Sequence, residues 1–398
     1  MLSYRHALLA LFLVSSTVPS FAAGERWVGS WGFANNGDRN NATPTQRPGT
    51  FRYRIRLSQG GDAVRLTFSN IEGALPLDIG AVTIAAAGVG ADETIDAATL
   101  EPVSFSRKPA IVVPGGRAIV SDPVNMPVQA GGEVIVSVFL RTPSRPTETS
   151  PGVPAWFAED MDATRGAAAT WQAANSRPFL SLVAVRNPEA RCTVVALGDS
   201  ITDGYGSASP TIRGWPARLA ARWQQRPARQ RCAMVNMGIG GNRVLNDGAG
   251  TAAIDRFWRD VASVPGVTDV ILLEGINDIG GSSKAAPLTS EELIAGYRQI
   301  IARARSLGLR IHGATLTPAL GSGYMSAAKE VIRQEANDFI RKGGEFDGVI
   351  DFDAAVRDPE APSKLQARFD PGDHLHPNDA GYQAMANAVD LRAFDASR

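Results

Sequence analysis

Ser200 stands two residues beyond an apolar, β-branched run, Val194 to Leu197, in the stretch "VVALGDSITDG". A buried strand that ends on a glycine step and then presents a hydroxyl could be turn punctuation or a nucleophile. A serine hydroxyl becomes nucleophilic when a base takes its proton, and histidine is the usual base near neutral pH. The chain has four histidines. His6 lies in the N-terminal apolar leader, and His312 sits inside a strand-like run, "LRIHGATL", where it reads as a structural residue with a satisfied hydrogen bond. His374 adjoins Asp373, a poor geometry for a carboxylate to reach its neighbour's ring. His376 follows Asp373 by three residues, so the two can face each other across one turn. Ser200, His376 and Asp373 then compose a nucleophile, a base and the carboxylate that fixes the imidazole tautomer. Acyl transfer also needs donors aimed at a developing oxyanion. The N–H of Ser200, the glycine-rich stretch "NMGIGGNR" at 236–243 with Gly241 in it, and the side-chain amide of Asn277 in "EGINDIG" supply them.

These groups are scattered over 177 positions, so elements must gather them. From Cys192 onward, strand-like runs ending near Leu197, Met237, Glu274, Leu316 and Phe352 alternate with helical stretches around Trp215–Gln225, Ala252–Ala262, Thr289–Ser306, Ala327–Arg341 and Asn378–Val389. The third helix carries a capping box, Thr289 with Glu292, and Gly308 ends it. Such βα alternation predicts a parallel five-stranded sheet with helices on both faces. Ligands of open α/β sheets bind beyond the carboxyl ends of the strands, and there Ser200, the glycine stretch and Asn277 fall, with Asp373 and His376 in the loop before the last helix.

The blocks "GDSITDG", "GIGGN", "GIND" and "DHLH" resemble, in order and spacing, the signature blocks of the SGNH (GDSL-type) hydrolases. The resemblance covers about 200 residues, 192–390, and is closest to secreted bacterial members that carry an N-terminal β-domain. It implies a three-layer α/β/α fold, Ser200 as nucleophile with His376 and Asp373, and Ser200, Gly241 and Asn277 as the oxyanion hole. It selects Gly241 over Gly238 and Gly240. "GDSIT" is not G-x-S-x-G, so the nucleophile-elbow fold is disfavoured. The expected activity is an exported serine esterase acting through an acyl-enzyme on short-chain, above all acetyl, esters of carbohydrate. A lysophospholipase or thioesterase uses the same machinery. A carbohydrate-binding adhesion protein, with Trp27, Trp31, Trp156 and Trp171 as stacking surfaces, is the rival without catalysis.

Upstream, residues 25–186 read as an all-β sandwich or jelly roll: "TFRYRIRLS", "AVRLTFSN", "DIGAVTIAAA", "EVIVSVFL" and "FLSLVAVRN" are punctuated by Gly, Pro, Asn and Asp. Residues 187–398 form the expected catalytic domain. Residues 1–22 read as a signal peptide, with Arg5 before a short apolar stretch and small residues before a cut near Ala22. The protein is accordingly expected in the periplasm or outside the cell, without stable membrane insertion. In an oxidising compartment, Cys192 and Cys232, each opening a neighbouring parallel strand, come within bridging reach and are expected to pair.

Forty Lys and Arg balance forty Asp and Glu, which gives no electrostatic footprint for nucleic acid. No cofactor or metal is expected: the first loop lacks a phosphate-binding lysine, and "HLH" lacks a third ligand at convincing spacing. The partner is a small-molecule or polysaccharide ester. Asp199 and Asp203 read as turn-holders, Asp278 as a brace for Asn277, Glu274 as half of a structural ion pair, and "DFDAAV" as a solvated strand end. Trp215 reads as a packing residue that could also reach the cleft.

Overall fold

The computed structural model describes residues 25–395 apart from 38–39, 147–152, 167–169, 175–178, 210, 284 and 286. The expected signal peptide at 1–22 lies outside the described residues. From Trp27 to Arg186 the alternating runs build an antiparallel sandwich. One sheet orders β1 (Trp27–Gly32), β11 (Leu180–Arg186), β3 (Val64–Ser69) and β7 (Ala118–Val120). The other orders β10 (Gln172–Ala173), β9 (Ala155–Glu159), β2 (Gly49–Arg56), β8 (Glu133–Leu140), β4 (Leu77–Ala86) and β5 (Glu101–Val103), with β6 (Ile111–Val113) on β4. Phe51, Tyr53, Leu66, Phe68, Val136 and Val183 fill the space between them. The strands with clear period-two patterning are the ones expected. β1, β9 and the two- and three-residue strands carry too little pattern to announce themselves.

The second unit is a parallel sheet ordered β13 (Cys232–Gly238), β12 (Cys192–Gly198), β14 (Val267–Leu273), β15 (Arg310–Ala314) and β16 (Gly348–Ile350). β12 is buried along its whole length, as a central strand with helices on both faces must be. The helices are α1 (Ser200–Asp203), α2 (Gly214–Gln224), α3 (Ala253–Phe257), α4 (Ile276–Gly281), α5 (Ser290–Ser306), α6 (Ala327–Lys342), α7 (Phe352–Val356) and α8 (Asp379–Ala388). α2 packs on α8, and α5 on α6, giving the three-layer α/β/α arrangement. The chain winds from β12 outward to β13, then back past β12 to β14. The switch in winding therefore lies between β12 and β14, the place where such sheets bind ligands.

Cys192 and Cys232 are register partners on β12 and β13 and are joined by a disulfide, with Cα atoms 4.7 Å apart. Among the described residues no helix is long and apolar enough to cross a membrane. The sandwich sits against the edge of the parallel sheet through β1. A Cβ on Gly29 would lie 2.7 Å from Val264 and 2.8 Å from Val235, so only glycine permits this approach. Gly29 N–H donates to the Pro265 carbonyl and Met234 N–H to the Ser58 hydroxyl, each at 2.9 Å.

Three local expectations are corrected. The fourth strand stops at Ala314, short of Leu316, because α6 takes over its hydrogen bonding: Asn337 Oδ1 accepts from Leu316 N–H, and Arg333 and Asn337 donate to its carbonyl. "DFDAAV" is not a solvated strand end but the N-cap and full length of helix α7, which buries Phe352, Asp353 and Val356. Its Asp353 is 1% exposed and paired with Arg333, Arg341 and Arg357. Trp215 is fully buried against Phe352, away from any cleft. The helix expected over 252–262 exists, but its second half, Trp258–Ala262, widens into a π-helix.

Candidate active site

Beyond Gly198 the chain turns sharply into α1, whose N-cap is Asp199. The Asp199 carboxylate accepts the Ile201 N–H at 2.9 Å. Ser200 is thus the first helical residue, and its own N–H has no carbonyl four residues back to bond. The Ser200 hydroxyl lies 2.8 Å from His376 Nε2, across 176 positions of sequence. His376 Nδ1 lies 2.7 Å from Asp373 Oδ2. The carboxylate therefore holds the Nδ1–H tautomer and leaves the Nε2 lone pair to accept the serine proton.

Asp373 is itself fixed by its own loop. Its Oδ1 accepts the N–H groups of Leu375 at 3.0 Å and His376 at 2.9 Å. Partial burial pushes this carboxyl up, but those N–H groups and the imidazole outweigh it and hold it below the usual carboxylate range. Tyr205 lies over the imidazole, with ring centroids 4.4 Å apart. His374 turns instead to Asp370, and His312 is buried on Asp269 at 2.9 Å.

Gly241 lies in the segment between β13 and α3, at φ +74°, a left-handed conformation that favours glycine. Asn277 opens the first turn of α4. Its Nδ2 donates one hydrogen to the Asn242 carbonyl at 2.9 Å, which fixes the amide and leaves its second hydrogen for a ligand. Asp278 receives the N–H groups of Val244 at 2.8 Å and Leu245 at 3.0 Å. It braces the glycine segment, therefore, as well as its own helix. Ser200, Gly241, Asn277, Asp373 and His376 together line one cleft of about 590 Å³. Tyr205, Ser322, Tyr324 and Leu375 form its remaining side-chain walls, and none of the described residues of the sandwich lines it.

Two buried acids stand at the turn into α1 and at the end of β14. Glu274 is 1% exposed, and neither of its oxygens nor Oδ2 of Asp199 has a hydrogen-bond partner among the described residues. The expected ion pair is weak: Arg256 Nη2 approaches Glu274 only to 3.6 Å, because that guanidinium is committed to Gly198, Met237, Asn242 and Asp260. Burial pushes the Asp199 carboxyl up to about 7 and Glu274 well above its ordinary value. None of the four tryptophans considered for sugar stacking lines the cleft. Trp27 lies under Arg65, Trp171 under Arg52, Trp31 stacks on Phe33, and Trp156 sits on β9 opposite Arg52.

Among proteins of known structure, the chain is similar to an acetylxylan esterase from Geobacillus stearothermophilus, with 22% identity and a TM-score of 0.41 over 52% of this chain and 96% of that one. It is also similar to a GDSL-like lipase from Bacteroides thetaiotaomicron, with 18% identity and a TM-score of 0.40 over 52% and 88%. No curated protein matches it. A family model described as GDSL-like lipase/acylhydrolase matches residues 196–384, which hold every group of the cleft described above. Residues 196–384 thus form a GDSL-like lipase/acylhydrolase domain, and the protein is a serine ester hydrolase.

Proposed function

We propose that Ser200 is the nucleophile of a carboxylic-ester hydrolase whose base is His376 and whose orienting carboxylate is Asp373. The observation that carries this is the relay of two hydrogen bonds, 2.8 Å and 2.7 Å, from the serine through the imidazole to the carboxylate. Ser200 Oγ attacks the carbonyl carbon while His376 Nε2 takes the proton. The oxyanion forms against the N–H groups of Ser200 and Gly241 and the free hydrogen of the Asn277 amide. His376 then gives the proton to the departing alcohol, and water hydrolyses the acyl-enzyme by the same steps in reverse.

For substrate, we favour short acyl groups, acetyl first, carried on carbohydrate. Leu375 is the one aliphatic side chain among the described residues that line the cleft, so a long acyl chain would find no row of aliphatic side chains there to follow. Tyr205 and Tyr324 offer ring faces and hydroxyls suited to a polar alcohol. Export from the cytoplasm is supported by the Cys192–Cys232 disulfide.

The test is a panel of acetylated xylan, acetylated monosaccharides, lysophospholipid and p-nitrophenyl esters of graded chain length, run beside Ser200→Ala. Acetyl esters should be cleaved fastest, and the variant should lose more than about a thousandfold. Rates that climb steadily with acyl length overturn the acetyl reading. Polysaccharide binding by folded protein with no ester turnover overturns the enzyme.

A further inference from the structure

Among the described residues the segment from Ile239 to Ala252, which carries Gly241, is neither helix nor strand, so beyond a few backbone bonds, such as Ile239 N–H to the Gly198 carbonyl, it relies on side chains to hold it. On one side Asp278 holds Val244 and Leu245. On the other side the holding group comes from the sandwich. Glu72, in the turn after β3, is 4% exposed. Its Oε1 accepts a hydrogen bond from the Thr251 hydroxyl at 3.0 Å and another from Arg259 Nη1.

Two routes lead from Glu72 to the oxyanion donors, and they meet at Asn242. The short route runs through Thr251, whose carbonyl accepts from Asn242 Nδ2 at 2.9 Å. The longer one is ionic. Arg259 spreads Nε and Nη2 over the Asp260 carboxylate at 2.6 and 2.8 Å, and Asp260 also accepts from Arg256 Nη1 at 2.9 Å. Arg256 is fully buried and donates to Asn242 Oδ1 at 2.8 Å, to the Gly198 carbonyl at 2.9 Å and to the Met237 carbonyl at 2.7 Å. Asn242 follows Gly241 directly, and its carbonyl receives the Asn277 amide. The backbone before Ser200, the backbone of Gly241 and the side chain of Asn277 thus share one network that ends on a carboxylate of the other unit.

From this connection we infer that Glu72 is a positioning residue for the oxyanion hole, so that the sandwich takes part in catalysis without touching substrate. The inference rests on the reading of Gly241 and Asn277 as oxyanion donors. Charge-assisted bonds in a buried setting are strong and directional. Oxyanion donors act over a narrow range, about 2.7–3.1 Å, and an ångström of misplacement can cost about a hundredfold. Removing Glu72 releases Thr251 and leaves Arg259 with one partner fewer, which lets the Gly241 segment drift from its place.

The test uses the full chain with p-nitrophenyl acetate, and compares Glu72→Ala, Glu72→Gln and Thr251→Val with Thr211→Val. The last removes a different bond between the units, Thr211 Oγ1 to Glu133 Oε1 at 2.9 Å, far along the chain from the oxyanion segment. Glu72→Ala should lower kcat about tenfold at unchanged KM, a fraction of the cost of a whole donor. Glu72→Gln, which keeps an oxygen for Thr251, should recover most of that loss. Thr251→Val should lose severalfold, and it serves as the test should Glu72→Ala fail to fold. Thr211→Val should reduce the melting temperature yet keep kcat. A folded Glu72→Ala or Thr251→Val with wild-type kcat, a change in KM alone, or an equal kcat loss in Thr211→Val each overturns the inference. Ser200→Ala, run alongside, separates the two levels. If it is inactive while Glu72→Ala is unimpaired, only the positioning role falls; if it stays active, the site reading itself falls.

Discussion

Asn277 shows how much one side chain is asked to do. Its amide gives one hydrogen to the Asn242 carbonyl at 2.9 Å, and only the other remains for the reaction. Asn277→Ala should therefore lower kcat on p-nitrophenyl acetate by about 10²–10³, the usual cost of a lost oxyanion donor, with little change in KM. Asn277→Asp should be at least as damaging, since it sets an acceptor against the developing charge. A kcat within severalfold of wild type in either variant would remove Asn277 from the oxyanion hole. That Ser200, Asn277, Asp373 and His376 come together in one cleft was legible in the sequence, the first two from their place at strand ends and the last two from their spacing in one loop, whereas Gly241 was picked from its neighbours by the family resemblance. Glu72 was not legible. It acts across 187 positions on Arg259, and nothing in "NIEGALP" distinguishes it from any acidic turn residue. Arg256 was equally silent, since its role depends on which carbonyls the fold brings around it.

The turn from β12 into α1 carries a consequence for pH. Burial holds the Asp199 carboxyl protonated up to about pH 7 in the folded protein, whereas an unfolded aspartate ionises near 3.8. A raised acid binds its proton in the native state over a range where the unfolded chain has released it. Stability is thus fully expressed below about pH 4 and lost progressively as pH rises toward 7, by at most about 1.4 kcal/mol per pH unit for one proton. Asp199→Asn keeps an oxygen for the Ile201 N–H and has nothing to ionise. Urea denaturation of this variant should show a flatter dependence of unfolding free energy between pH 4 and 7, and greater stability than wild type at pH 7. Parallel curves for the two proteins would mean that the carboxyl is ionised in the native state. Elements differ in how far the sequence discloses them, according to how near in the chain their partners lie. The capping box of Thr289 and Glu292 forms as expected, because both partners lie within one turn. The misreading of "DFDAAV" arose because the arginines that neutralise Asp353 come mainly from α6, up to 20 positions away.

At the scale of the whole molecule, the sandwich and the parallel sheet pack against each other along one edge. β1 covers the edge of the sheet at β13, with Gly29 pressed on Val235 and Val264, and Ser58 capping the Met234 N–H. On the far side of β13 the disulfide ties its first residue to β12. A chain lacking residues 25–186 would uncover β13 as an exposed apolar edge, the kind of strand that pairs with other copies. It would also lose Glu72 and with it one support of the oxyanion segment. Such a truncation should be recovered mainly as aggregate by size-exclusion chromatography. Any soluble fraction should turn over p-nitrophenyl acetate with a reduced kcat, even though none of the described residues of the sandwich lines the cleft. This separates the present view from that of a tethered binding module, whose removal should spare small esters and impair only polymeric ones. A soluble, monomeric truncation with wild-type kcat on the small ester would make the sandwich a passenger.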